Sequence, residues 1–261
     1  MPGPVDENRL PIASLRATLR PWRLHYRAVL GSTNDHAARL RLAGRLPAPA
    51  IVLASRQVRG RGRGANTWHA ARGSLTVTFA IPLDERRLPQ VLPLAAGVAV
   101  RRALVTLCGA EAIRLKWPND LLHDDLKLAG ILCERVHGVD LVGVGVNVNL
   151  MPGDLPESLR ARVTSLRAIV GRPLPVADVL LGIAREFERV FLVGDDAPSL
   201  SPLLREFARH DALIGRRVQI DQAHDEPIAG VAEGIDSSGR LLVRDRSRLH
   251  RVVAGTVLPV D

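Results

Sequence analysis

The chain has 261 residues, of which 46% are hydrophobic, so it can bury a full core and is too long for a minimal module. A formal net charge of +9 favours anionic partners such as nucleotides, nucleic acids or acidic proteins, and charge alone does not choose among them. Two cysteines are too few for a disulfide framework or a zinc site.

The sequence predicts neither a membrane span nor a secretory signal. The apolar run from Val91 to Val100 stops at Arg101, short of the roughly 18 residues that a span requires. The N-terminus lacks the apolar core of a signal peptide. We therefore expect a cytoplasmic protein without membrane contact.

Residues 1–22 are interrupted by four prolines and predict an irregular lead-in with one short helical turn. Such a segment leaves no room for a helix-turn-helix domain, so we expect no DNA binding. We also expect that removing residues 1–20 leaves the activity of the protein largely intact.

Strand and helix patterns mix between residues 23 and 150. The N-cap residues Ser32–Asp35 start a helix that ends at Gly44, and Leu92–Leu107 predicts a second helix. The predicted strands are Leu24–Leu30, Ile51–Ser55, Ser74–Ile81, Ile113–Leu115, Lys127–Val136 and Asp140–Asn149.

The pattern changes twice after Pro152. Helices are predicted first, at Leu159–Val170, Val176–Val193 and Leu203–Arg209. Short β runs then predict a small β-barrel, at Arg217–Ile220, Ile228–Ile235, Leu241–Arg244 and His250–Val253. We therefore divide the chain into the lead-in 1–22, a large domain 23–211 and a C-terminal β domain 212–261.

Lysine is rare: 34 of the 36 basic residues are arginine, and Lys116 and Lys127 are the two lysines. A lysine ammonium is a compact charge on a flexible stem, which the wider arginine fork does not replace in a tight site. We therefore expect the segment Ile113–Glu134 to be the chemical centre, with chance as the alternative. Lys127→Arg should fail, whereas Arg101→Lys should be nearly neutral, because we expect Arg101 to be exposed and to supply only solvated charge.

A loop rich in glycine and arginine, here called the Gly-Arg loop, covers Gln57–Trp68. Its glycines let backbone amides approach an anion, and the forks of Arg61 and Arg63 suit phosphate or carboxylate. The loop predicts an anion site that is mobile without ligand. A single-stranded nucleic-acid site and a solvated linker are the alternatives, although Trp68 is its single stacking aromatic.

Lys116-Trp117-Pro118-Asn119-Asp120 follows a predicted strand, and Pro118 fixes a turn that allows the polar residues to converge. Such a cluster suits a nucleoside triphosphate and Mg²⁺, with Lys116 as a charge clamp and Asp120 as a hard oxygen ligand or a partner for a base or ribose. A surface turn with an incidental ion pair is the alternative.

Lys127 begins the apolar strand Lys127-Leu128-Ala129-Gly130-Ile131-Leu132, where a charge is costly unless it meets an anion. Gly130 and the glycines of Gly143–Asn149 would let a flat ligand lie against the backbone. A bulged strand is the alternative explanation of Gly143–Asn149.

The order of these motifs resembles the biotin protein ligase family. The resemblance covers about residues 28–150, and the C-terminal β domain matches as well. It is carried by Ser32-Thr33-Asn34, Gln57, Gly60-Arg61-Gly62-Arg63, Trp68, Lys116–Asp120, Lys127–Leu132 and Gly143–Asn149. It implies an α+β fold with a class II synthetase-like mixed β-sheet in the catalytic domain and a small C-terminal SH3-like β-barrel.

The resemblance also implies an activity. The family uses ATP to activate biotin as biotinyl-5'-AMP and then transfers biotin to a lysine of a biotin carboxyl carrier domain. ATP, Mg²⁺ and biotin are the expected ligands, and the carrier domain of a carboxylase is the expected partner. Exposed strand edges would allow a homodimer.

Site residues are carried over motif by motif. The residues expected to bind biotin are Ser32, Thr33, Asn34, Gln57, Arg61, Gly62, Arg63, Lys127 and Gly130. The residues expected to serve ATP are Arg61, Arg63, Trp68, Lys116, Asn119, Asp120, Lys127 and Asn147. Lys127, Arg61 and Arg63 are the expected catalytic residues, Asp120 the expected metal ligand, and Trp68 is expected over the adenine.

The sequence departs from the family pattern within the Gly-Arg loop. Ala65-Asn66 stand where a Gly-Arg pair is usual, and Arg59 replaces a small residue. Two other functions stay open: a lipoate or octanoate ligase or transferase of the same fold, and a nucleic-acid-binding protein that uses the Gly-Arg loop.

Overall fold

The chain forms a large α+β unit followed by a five-stranded β unit, seen in a computed structural model that describes residues 7–192, 200–222 and 226–260. The helices of these residues are α1 (Ile12–Thr18), α2 (Thr33–Leu42), α3 (Leu92–Cys108), α4 (Glu157–Arg160), α5 (Leu166–Val170), α6 (Val176–Phe191) and α7 (Ser201–Arg209). The strands are β1 (Arg23–Leu30), β2 (Ala50–Gln57), β3 (Gly60–Arg61), β4 (Thr67–Trp68), β5 (Ser74–Pro82), β6 (Arg114–Lys116), β7 (Asp120–His123), β8 (Leu126–Val136), β9 (Val139–Asn147), β10 (Arg217–Asp221), β11 (Ile228–Ile235), β12 (Leu241–Arg244), β13 (Leu249–Val252) and β14 (Thr256–Pro259).

The large sheet has seven strands in the order β1-β2-β5-β9-β8-β7-β6. β1 runs parallel to β2, and every other neighbouring pair is antiparallel. The expected mixed sheet is therefore confirmed. Its strand β7 was not predicted, because four residues between two turns carry too short a pattern.

The two faces of this sheet differ because side chains alternate along each strand. One face carries large apolar residues such as Phe79 and Val144, which pack in the main core with α3 and α6. The opposite face, on which α2 lies, carries small and polar residues at its centre: Thr76, Thr78, Gly143 and Gly145. This second face is therefore free to hold a ligand.

The N-terminal segment is more ordered than its prolines suggest. α1 has seven residues rather than a single turn. Leu15 and Leu19 are 1% and 2% exposed, and Trp22 packs edge-on against Phe79 with 5.2 Å between ring centroids. Because two fully buried leucines belong to the main core, the structure argues against the expectation that residues 1–20 are dispensable. Residues 1–6 lie outside the described residues.

Two other sequence predictions are corrected. The helix predicted over Leu159–Val170 is two short helices, because Ser165 caps α5 by accepting a hydrogen bond from the Ala168 amide. Arg101 is 4% exposed and donates to the carbonyl of Ile113 at 2.7 Å, so it is a buried structural residue and not solvated charge. The predicted end of α6, Val193, lies outside the described residues.

The C-terminal unit is an antiparallel sheet in the order β13-β12-β11-β10-β14, as expected for the small β domain. Trp117, 1% exposed, joins it to the large unit by donating its indole N–H to the Gly239 carbonyl at 3.1 Å. Among the described residues, no helix is both long and apolar enough to cross a membrane.

Candidate active site

A cleft of about 1030 Å³ lies over the glycine-rich face of the large sheet and extends to the C-terminal unit. This volume is at the upper end of small-molecule sites. The sequence-predicted residues in its wall are Ser32, Thr33, Asn34, Gln57, Arg61, Gly62, Arg63, Trp68, Lys116, Asn119, Asp120, Lys127 and Gly130. Residues scattered over 99 positions of the chain are thus brought into one cavity.

The start of α2 is fixed by a buried polar network at one end of the cleft. Ser32 caps the helix by accepting from the Asp35 amide, and the Thr33 amide donates to Gln57 Oε1 at 2.6 Å. The Thr78 hydroxyl donates to Asn34 Oδ1 at 2.6 Å and also contacts the Thr33 hydroxyl at 2.8 Å. These bonds hold four predicted biotin residues, Ser32, Thr33, Asn34 and Gln57, in one place.

Both the oxygen and the nitrogen of the Asn34 side-chain amide form hydrogen bonds with other protein groups. It is 3% exposed, and its Nδ2 donates to the Leu132 carbonyl at 3.3 Å and to Glu134 Oε2 at 2.8 Å. A methyl group on Gly143 would come within 2.4 Å of Asn34 Oδ1, so the glycine makes room for this side chain. In this structure Asn34 therefore connects α2 to the sheet.

Part of the Gly-Arg loop forms the hairpin β3–β4, in which Gly60 pairs with Trp68 and Arg61 with Thr67. A Cβ on Gly60 would lie 2.5 Å from the Trp68 carbonyl oxygen, so glycine is required for this close approach. Asn66 closes the turn: its Nδ2 donates to the Arg63 carbonyl at 3.0 Å, and its carbonyl accepts from the Gly62 amide at 2.7 Å. The departure from the family pattern at Asn66 thus has a structural role here.

Arg61 and Arg63 have different partners. Arg61 Nη2 lies 2.6 Å from Glu134 Oε2 and 2.8 Å from Asp35 Oδ1. Arg63 donates instead to a neutral acceptor, the Gly255 carbonyl of the C-terminal unit, at 2.7 Å. Burial lowers the pKa of Arg63, and the charge of Asp120 acts in the opposite direction. Arg63 is therefore better suited than Arg61 to accept an incoming anion.

Trp68 lies flat on the floor of the cleft. A Cβ on Gly145 would be 2.4 Å from Trp68 Cε2, and a Cβ on Gly130 would be 3.3 Å from Cζ3. The glycines therefore make room for the Trp68 ring against the strands, at the place where the sequence predicts a flat ligand. The indole Nε1 is buried without a hydrogen-bond partner.

Two lysines flank one carboxylate at the other end of the cleft. Lys127 Nζ lies 2.7 Å from Asp120 Oδ1, in an ion pair whose geometry is not that of a hydrogen bond. Lys116 lies opposite Asp120 in the register of the neighbouring strands β6 and β7. Burial lowers the pKa of Lys116, and the charge of Asp120 opposes this effect. With Arg63 nearby, positive charge exceeds negative charge around Asp120, which favours a phosphate.

Asn119 and Asn147, the two asparagines predicted to serve ATP, both donate hydrogen bonds from their side chains to backbone carbonyls. Asn119 Nδ2 donates to the Ile131 carbonyl at 2.7 Å, and Asn119 still lines the cleft. Asn147 is 4% exposed and is not part of the cleft wall, so its role toward ATP stays a prediction. Its Nδ2 donates to the carbonyls of Lys127 at 3.3 Å and Thr164 at 3.0 Å. Thr164 belongs to the loop between α4 and α5, which lies at this end of β9.

Sequence reasoning missed several residues of the site. Thr78 and Gly255 come from segments without a motif, and their contacts join positions far apart in the chain. Glu134 could have been found, since it lies two and four residues beyond Leu132 and Gly130 on the same face of β8.

Comparison with known proteins agrees with this architecture. The profile of the Biotin/lipoate A/B protein ligase family matches residues 26–150, and that of the Biotin protein ligase C terminal domain matches residues 213–258. The biotin–[acetyl-CoA-carboxylase] ligase of Mycobacterium tuberculosis is 30% identical over 98% of this chain and 96% of its own length. The bifunctional ligase/repressor BirA of Bacillus subtilis is 30% identical over 98% of this chain and 79% of its own length.

A solved structure shares the fold. The biotin protein ligase of Aquifex aeolicus, solved in complex with biotin and ATP, has a TM-score of 0.80 and 24% identity, over 91% of this chain and 99% of that chain. The motif order, the mixed sheet with its C-terminal β unit, and the two relatives of 30% identity lead to one conclusion. The chain belongs to the biotin protein ligase family.

Proposed function

We propose that this protein activates biotin with ATP as biotinyl-5'-AMP and transfers the biotinyl group to a lysine of a biotin carboxyl carrier domain. The observation that carries the proposal is the cleft itself. Trp68, which lies on the glycine floor of Gly130 and Gly145, adjoins the cationic cluster of Lys116, Lys127 and Arg63. Such a cleft can place an apolar ring system and a triphosphate side by side.

In the first step a carboxylate oxygen of biotin attacks the α-phosphorus of ATP, an O–P bond forms, and pyrophosphate leaves. Two anions must approach each other, so a positive charge between them lowers the barrier. Lys127 is the residue we assign to this position, since its ammonium already faces the Asp120 carboxylate in the cluster. Arg63 and Lys116 would bind the phosphates.

In the second step the neutral ε-amine of the acceptor lysine attacks the carbonyl carbon of biotinyl-5'-AMP. An amide bond forms, the C–O bond to AMP breaks, and the amine gives up one proton. The Gly-Arg loop would shield the mixed anhydride from water until the acceptor arrives.

Asp120 is the candidate ligand for Mg²⁺. Mg²⁺ bound with a nucleotide generally uses one or two carboxylates together with phosphate oxygens. Asp120 fits this role, because its buried Oδ1 faces the cluster without a hydrogen bond. No group of three His, Cys, Asp or Glu residues that could hold a metal without substrate occurs in the part of the chain that the structure describes. The ion would offset phosphate charge.

Several finer points stay predictions. We infer a catalytic domain over 23–211 and a C-terminal domain over 212–261, supported by the change from the large sheet to the small one. A cytoplasmic location, the absence of DNA and membrane partners, and a homodimer through exposed strand edges stay predictions as well.

The proposal is tested by incubating the protein with ATP, Mg²⁺ and either biotin or lipoate, followed by mass spectrometry of the acyl-adenylate. We expect biotinyl-5'-AMP, and biotin on the lysine of an added carrier domain. Formation of lipoyl-AMP in its place would overturn the proposal in favour of a lipoate ligase. Salt-dependent oligonucleotide binding without adenylate formation would favour the nucleic-acid alternative.

A further inference from the structure

Glu134 is a charged residue of the cleft region to which no role has been assigned so far. It lies on β8, and its side chain is 31% exposed. Both of its carboxylate oxygens accept from Arg61 Nη2, at 2.8 and 2.6 Å. Oε2 also accepts from Asn34 Nδ2 at 2.8 Å. One carboxylate therefore contacts two residues from other parts of the chain.

These two residues belong to different walls of the cleft. Asn34 lies in the first turn of α2, and Arg61 lies in the β3–β4 hairpin. Asp35 adds a second carboxylate to the same Arg61 nitrogen at 2.8 Å. Helix, hairpin and sheet thus meet at the Glu134 carboxylate.

The position of Arg61 affects the rest of the hairpin. Arg61 pairs with Thr67, and the neighbouring Gly60 pairs with Trp68, whose indole lies on Gly145. Within the hairpin the Gly62 amide donates to the Asn66 carbonyl at 2.7 Å, so its two strands stay together as one unit. A contact that fixes Arg61 therefore also fixes where Trp68 lies above the cleft floor.

We propose that Glu134 is a positioning residue, which holds the β3–β4 hairpin and Asn34 in the arrangement that receives biotin. The assignment of biotin rests on the proposed function, whereas the hold on the hairpin does not. Exposed ion pairs contribute little to global stability, so the main effect of losing Glu134 is on the geometry of the cleft. The phosphate end, with Lys116 and Lys127, lies outside this set of contacts.

Tryptophan fluorescence gives a direct measure of the hairpin. Of the three tryptophans, Trp22 and Trp117 are 3% and 1% exposed, so quenching by acrylamide reports mainly on half-buried Trp68. Glu134→Gln keeps the size of the side chain and removes its charge. We expect a clear rise in the quenching constant of this variant, because Trp68 leaves the floor more often.

Steady-state kinetics of adenylate formation give the second measure. For Glu134→Gln we expect the KM for biotin to rise about tenfold, the size associated with losing one charge-assisted hydrogen bond. We expect the KM for ATP to change less than about twofold, since the phosphate cluster is not in contact with Glu134. A merely structural role would shift both constants together.

Glu233→Gln is the matched control, because Glu233 forms an ion pair of similar exposure with Arg244 on the C-terminal sheet, away from the cleft. It should change neither measure. Asp35→Asn removes the other carboxylate on Arg61 and should give a smaller effect of the same kind. It also keeps the test valid if a thermal melt shows that Glu134→Gln is unfolded.

The outcomes separate the two proposals. Unchanged quenching and an unchanged KM for biotin in a folded Glu134→Gln variant would overturn the positioning role, and so would a rise in quenching alone. A wild-type protein that forms no biotinyl-5'-AMP would overturn the proposed function, while the quenching experiment would still test the hold on the hairpin.

Discussion

At the scale of single residues, we expect the shape of the Lys127 side chain to matter more for adenylate formation than its charge, which an arginine would keep. Lys127 Nζ contacts Asp120, and its stem lies over Gly130, where an added Cβ would be 3.3 Å from Lys127 Cε. A chain that otherwise uses arginine keeps lysine here and at Lys116. The ammonium thus faces the cationic cluster from a stem that packs on the glycine floor, and the wider fork of an arginine would have to be placed differently.

Lys127→Arg should lower the rate of adenylate formation about 100-fold, since a guanidinium would hold carboxylate and α-phosphate apart. The measurement is single-turnover formation of biotinyl-5'-AMP at saturating ATP and biotin, with folding checked by a thermal melt. Arg20→Lys, at an exposed position beyond α1, is the control and should keep the wild-type rate. A folded variant with more than about a third of that rate, far above the expected loss, would remove Lys127 from the chemistry.

At the scale of elements, the glycine floor depends on β8 and β9 lying side by side. Gly130 pairs with Gly145 across these strands, so two residues without side chains meet under one aromatic ring. Replacing Gly145 by Ala would place a methyl group 2.4 Å from Trp68 Cε2. The indole would have to move into the space of the ligand.

We therefore expect Gly145→Ala to fold and to lose most of its biotin binding, measured by isothermal titration calorimetry. Gly182→Ala is the matched control: Gly182 lies in α6, where an added Cβ would make an ordinary contact with Ala103 at 3.7 Å. It should keep biotin binding and gain roughly 0.5–1 kcal/mol of stability from helix propensity. Equal biotin affinities of the two variants would show that the floor is not part of the site.

The first helix provides a second prediction at this scale. Leu15 of α1 is 1% exposed in the main core, so Leu15→Ala should lower the free energy of unfolding by about 2–5 kcal/mol. Leu42→Ala, at a position 59% exposed on α2, should change it by less than about 0.5 kcal/mol. Urea denaturation measures both. Equal effects would mean that α1 is not part of the cooperative fold.

At the scale of the whole molecule, Asp211 lies where the two units join. It is fully buried, its Oδ1 accepts from the Leu213 amide at 2.9 Å, and its Oδ2 has no hydrogen-bond partner. Burial raises the pKa of Asp211 from its ordinary value of 3.8 to about 6, although the Leu213 hydrogen bond and the charge of Arg114 act against this. Between about pH 4 and pH 6 the folded state therefore binds more protons than the unfolded state, and stability falls as the pH rises.

Asp211→Asn should remove this pH dependence, because the amide keeps an acceptor for Leu213 and carries no charge. Relative to wild type, the variant should gain up to about 3 kcal/mol in free energy of unfolding between pH 4 and pH 7, with most of the gain below pH 6. Urea unfolding at pH 4.5, 5.5 and 7 measures the difference. Parallel pH profiles of the two proteins would contradict the assignment to Asp211.

The sequence by itself determined which residue types do the chemistry. Lys127, Asp120 and the Gly-Arg loop stand out locally, through spacing, residue rarity or glycine content, and all of them reached the cleft. The resemblance carried by the order of the motifs implied the mixed sheet, and the short β runs indicated the C-terminal β unit. Spacing, rarity and glycine content depend on neighbours in the chain, so a local pattern records them.

The tertiary structure alone decided the partners of these residues. Asn34 meets Glu134 across 100 positions and Arg63 meets Gly255 across 192, and Asn147 turns to the backbone instead of the cleft. Each of these contacts follows from the register of strands and from how segments pack on them, which no local pattern encodes. The sequence thus determined the chemical groups of the site, whereas packing over long separations decided which of them are free to meet a ligand.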